Sequence, residues 1–89
     1  MKSKWDEYRE KHYAGGGFDA VDEVGNKIKT LRFSTPERAE SVRRQADEVG
    51  AENIKVRQVE FPRTGLIPAY TRWEVYPSAE NGIGNSLLD

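Results

Sequence analysis

Few residues in this chain are equipped for chemistry, and their spacing argues against it. His12 is the only histidine, and cysteine is absent. A nucleophile–histidine dyad or triad needs a base held in place by a third group. His12 lies just ahead of Gly15-Gly16-Gly17, a poor scaffold for such a base. One histidine without a thiolate also excludes multi-histidine and cysteine-ligated metal sites. Asp19, Asp22 and Glu23 lie close in sequence, but a hairpin there supplies Lys and Arg partners, which oppose a cation site. The three glycines are not a phosphate loop, because no Lys-Ser or Lys-Thr follows and no strand precedes them. No enzymatic activity, cofactor or metal is therefore expected. What remains is binding. Tyr70, Arg72, Tyr76, Arg63, Leu66, Ile67, Trp5 and Tyr8 are of the aromatic, arginine and aliphatic types that protein interfaces favour.

The elements that must position these residues centre on 18–50. Val24-Gly25-Asn26-Lys27 suggests a two-residue type II′ loop between two strands. That register places Phe18 opposite Phe33, Asp19 opposite Arg32 and Asp22 opposite Lys29. Thr35 and Pro36 then read as the cap and first turn of a helix, and Ser34 to Glu37 has capping-box spacing. Ala39, Val42, Ala46 and Val49 recur at helical spacing, and Gly50 stands where a left-handed cap ends the helix. Residues 54–61 read as a third strand. Ile54 and Val56 point one way and Val59 and Phe61 the other, so either the strand is partly buried on both faces or a bulge lies near Arg57-Gln58. The bulge is the reading favoured, because Lys55, Arg57 and Glu60 are poor candidates for burial. Residues 70–76 read as a fourth strand, with Trp73 and Val75 toward the core and Tyr70, Arg72 and Tyr76 outward. Pro62 to Pro68 is a loop carrying Arg63, Leu66 and Ile67.

The expected fold is α+β: a small two-layer sandwich with an antiparallel four-stranded sheet (β-β-α-β-β) and one main helix on one face. The segments are an N-terminal aromatic and charged stretch, 1–14, a globular domain, 15–77, and a flexible tail, 78–89. Ser3 can start a short helix in the first stretch, with Trp5, Tyr8 and His12 sharing a face. Such a helix is too short to stand alone in water. Its aromatics either close an end of the core, the usual fate of large rings in a lean domain, or anchor a partner.

A net charge of −1 argues against a general polyanion or membrane-surface binder but leaves room for a local basic patch. No apolar run reaches membrane-spanning length and no signal-peptide core is visible, so a soluble cytoplasmic protein is expected. The leading expectation is a non-enzymatic module that binds another protein, as an inhibitor or adaptor. The alternative is nucleic-acid binding through Lys55, Arg57, Arg63 and Arg72, interleaved with tyrosines. Homodimerisation through a sheet edge is a third possibility.

Two resemblances bear on this. Gly25-Asn26-Lys27-Ile28-Lys29, followed by Phe33-Ser34-Thr35 and Ala39, resembles the arm-binding domains of tyrosine recombinases, in which a small sheet leading into a helix binds DNA. Asp19, Asp22 and Glu23 depart from that pattern by placing acid where that family tends to be basic. In size and style the chain is similar to single-domain accessory proteins of phages and mobile elements, including anti-CRISPR and other anti-defence inhibitors. That similarity implies stoichiometric binding, with a host-defence protein as the target.

Overall fold

The structure is a computed structural model that describes residues 3–79. Helix α1 (Lys4–Tyr13) is followed by strands β1 (Phe18–Val21) and β2 (Lys27–Phe33), helix α2 (Pro36–Glu48), and strands β3 (Ile54–Phe61) and β4 (Tyr70–Pro77). The four strands form one antiparallel sheet in the order β1-β2-β4-β3. The α+β class is as the sequence predicts.

Helix α2 begins and ends on local signals. The Thr35 hydroxyl accepts from the Arg38 N–H, and Pro36 occupies the first turn, where its missing donor costs nothing. At the other end the Ala51 N–H reaches the Ala46 carbonyl and the Gly50 N–H reaches Asp47, a Schellman closure that needs the positive φ of Gly50. Ala39, Val42 and Ala46 are buried, whereas Val49 lies beyond the packed stripe and is exposed. The small side chains let the helix approach Leu31, Phe33, Ile54, Val56, Trp73 and Val75 on one face of the sheet. Helix α1 completes this layer. Ser3 caps it by accepting from the Asp6 N–H. Trp5 and Tyr8 enter the same core, the Trp5 indole donates to the Lys29 carbonyl, and the Tyr8 hydroxyl donates to Gln45.

The β1–β2 register differs from the sequence expectation by three residues. Phe18 pairs with Thr30 and Val21 with Lys27, so Phe18 and Phe33 do not meet. The cause is Asp22. Its carboxylate accepts from the N–H groups of Val24 and Asn26, and its carbonyl accepts from the Gly25 N–H. This stabilises a four-residue Asp22–Gly25 turn, with Gly25 at φ 90°. Gly25 therefore closes a longer loop instead of opening a two-residue one. An odd shift exchanges faces. Phe33 stays on the helix side and pairs with Trp73, while Phe18 moves to the opposite side.

The expected bulge in β3 is absent. Ile54 to Phe61 pairs without interruption from Pro77 back to Tyr70. Lys55, Arg57, Val59 and Phe61 consequently share the helix-free face with Tyr70, Arg72, Glu74 and Tyr76. Charge on that strand needs no burial under a helix, which removes the reason for a bulge. Among the described residues no helix is long and apolar enough to cross a membrane.

Candidate functional site

The helix-free face divides into a closed end and an open end. Only Lys27–Thr30 of β2 pairs with β1, and only Leu31–Phe33 pairs with β4. The β1–β2 hairpin is thus free to bend across the face. At the closed end, the Val21 carbonyl accepts from Arg57 of β3 at 3.0 Å. The Glu23 carboxylate accepts from the Tyr76 and Ser78 hydroxyls, each at 2.7 Å.

Beneath this cover lies Glu74, buried on the helix-free side. It accepts from Arg32 Nε at 2.7 Å, Arg57 Nε at 2.8 Å and the Thr30 hydroxyl at 3.2 Å. Burial pushes its carboxyl upward, but the hydrogen bonds from Arg32 and Arg57 outweigh that and leave it below the ordinary value. Glu23 is held down to about 2, chiefly by the Tyr76 hydroxyl. Burial and the Glu23 bond push Tyr76 up to about 12.

At the open end a row of stacked groups crosses the sheet. The Arg32 guanidinium lies 4.4 Å from the Phe18 ring centre and 4.9 Å from that of Phe61. Phe61 stacks on Tyr70 at 4.9 Å, and Arg72 lies 4.7 Å over Tyr70. These five side chains line a shallow cleft of about 220 Å³. Phe61 and Tyr70 are also the last pair of the β3–β4 ladder.

Beyond that pair the two strands end, but one isolated bridge continues their pairing. Thr64 and Ile67 exchange backbone hydrogen bonds of 3.0 and 2.8 Å in the same register, three pairs further out. Gly65, at φ 55°, and Leu66 form the turn between them. The segment read as an irregular loop is therefore the end of a β-ribbon arm. A glycine-first two-residue turn, expected at Gly25, occurs here. Every residue from 62 to 70 is exposed, so nothing covers this part of the arm. Leu66 is 96% exposed, Ile67 57% and Tyr70 41%.

The nominated contact residues separate accordingly. Arg63, Leu66, Ile67, Tyr70 and Arg72 come together on the arm and its root. Tyr76 is on the same face but is buried under the hairpin. Trp5 is 4% exposed and Tyr8 3%, so of their two expected fates the structure shows the core. Of the nominated basic residues, Arg57 is engaged by Glu74, the Val21 carbonyl and the Tyr76 ring at 4.1 Å. Lys55 lies beside it on β3 and also makes an interaction. Phe18, Arg32 and Phe61, which the sequence places in the strands, are not among the nominated contact residues. The missed signal was plain alternation along 54–61, which puts Phe61 level with Arg57.

His12 is exposed on α1, with its ring 4.7 Å from that of Tyr8. Among the described residues no group of three His, Cys, Asp or Glu side chains is placed to hold a metal. No family model, no curated protein and no solved structure matches the chain.

Proposed function

We propose that the protein is a non-enzymatic protein-binding module, an inhibitor or adaptor acting in the cytoplasm, whose contact element is the β3–β4 arm. The observation that carries this reading is Leu66. A leucine almost wholly exposed at the tip of a regular turn forgoes about 1.5–3 kcal/mol of burial that a partner can supply. Ile67 adjoins it, and Tyr70 and Arg72 stand at the root, so the arm carries the residue types enriched in interface hot spots. Stacking of Arg32, Phe61, Tyr70 and Arg72 stiffens the root. A contact element ordered before binding loses less entropy on binding.

The nucleic-acid reading draws less support from the same geometry. Of its basic residues, Arg57 is already paired with Glu74, and the middle rings of the stacked row are in contact with their neighbours. The absence of cysteine is compatible with a reducing cytoplasm. The test is Leu66→Asp. It should leave the unfolding free energy within the range of a neutral surface change, about ±0.5 kcal/mol. It should also abolish co-purification of partner protein from cells of the encoding organism. Unchanged co-purification would refute the arm as contact element.

A further inference from the structure

The arm also indicates what kind of protein surface receives it, an inference that rests on the protein-binding reading above. From Phe61 to Arg72 the sequence contains Arg63 and Arg72 and no carboxylate, although the whole chain carries a net charge of −1. Arg63 is exposed beside the tip, and Arg72 extends over Tyr70 at the root. The apolar end is Leu66 and Ile67. Pro68 removes an outward-facing donor on the β4 side of the arm, whereas Pro62, two residues from the inward-bonded Thr64, faces the partner strand. A strand added on the β4 side would find a broken ladder. The arm is therefore suited to being read through its side chains.

We infer that the arm is received end-on by a protein pocket with an apolar floor and a carboxylate rim, and that no strand is added along it. Leu66 and Ile67 enter the pocket, and Arg63 meets carboxylates at its edge. Pairing at such a rim acts mainly on specificity and on the rate of encounter, and it weakens with salt.

The experiment places the photo-crosslinker p-benzoylphenylalanine at position 66 in one sample of the full chain. A second sample carries it at exposed Gln58 on the edge strand β3. Crosslinked peptides from cells of the encoding organism are then mapped by mass spectrometry. The expected result is a protein peptide joined to position 66, apolar and flanked by Asp or Glu. Its yield should fall at least about tenfold between ~50 and ~500 mM salt. Arg63→Glu should lower it comparably, and Arg63→Lys should retain it. A peptide from position 66 without neighbouring carboxylates overturns the inference, as does a yield unaffected by Arg63→Glu. Crosslinks from position 58 alone indicate strand addition on β3, which removes the end-on pocket and keeps the protein-binding function. Crosslinks to nucleic acid, or to no protein from either position, overturn both.

Discussion

Glu74 governs the closed end of the helix-free face. Its carboxylate is almost without solvent, yet each oxygen accepts from a guanidinium. Removing one partner of a buried pair costs more than the pair contributes, because the remaining charge stays desolvated. Glu74→Ala should therefore destabilise the fold by about 3 kcal/mol, the low end of that class, since Arg32 and Arg57 still reach water. Glu74→Gln should cost less. Denaturant titration checks both. Glu23 and Glu74 also contribute to the acid response, together with Asp6, Asp19, Asp22 and Glu40, which folding likewise lowers. Glu23 and Glu74 are held below their ordinary value of 4.5, Glu23 at about 2. A carboxyl lowered on folding contributes stability above its unfolded pKa and loses it as pH falls toward its folded pKa. The melting temperature should thus decline on acidification from about pH 5 to about pH 2. Glu23→Gln should flatten the lower part of that decline while reducing stability at neutral pH.

Among the elements, the β3–β4 ribbon depends on its turn. Gly65 has a positive φ that an L side chain adopts at a cost of about 1–2 kcal/mol. Gly65→Ala should fray the arm without unfolding the sheet, because residues 62–69 are exposed and lie outside the core. Hydrogen exchange at Thr64 and Ile67 should quicken while exchange at Val56 and Val75 stays slow. Ribbon and turn were partly legible. Strand alternation and the glycine were visible, but two prolines made the same stretch read as loop. They interrupt individual hydrogen bonds without changing the register, which the long pairing from 54 to 61 with 70 to 77 maintains. The β1–β2 turn failed in the opposite way. Asp at its first position and Gly at its fourth were sufficient for the longer loop, and Gly-Asn suggested the shorter one.

For the molecule as a whole, α1 is part of the core. Arg9 makes this visible. Its guanidinium donates to the Gly15 and Gly16 carbonyls at 2.9 and 3.0 Å and to Asp6 at 2.6 Å. The glycines after the helix are thereby held, and a Cβ at Gly17 would stand 2.9 Å from the Thr30 carbonyl. Trp5→Ala removes a large buried ring and the bond to Lys29, and should cost about 3–5 kcal/mol. Deleting residues 1–13 should abolish cooperative unfolding. Calorimetry distinguishes this from a dispensable helix, which would leave the transition sharp.

The sequence alone determined the elements, their order and the α+β class, because helix caps, apolar periodicity and strand alternation act over a few neighbouring residues. It also placed Trp73 and Val75 inward and Tyr70 and Arg72 outward, since alternation along one strand needs no partner. Only the tertiary structure decided which residues face one another across strands. Glu74 gathering Arg32 and Arg57, Phe18 joining Arg32, and Trp5 entering the core all join residues far apart in the chain. The Phe18–Arg32 contact follows from the three-residue register shift that the Asp22 turn sets, and the Arg57–Glu74 contact from an unbulged pairing of β3 with β4.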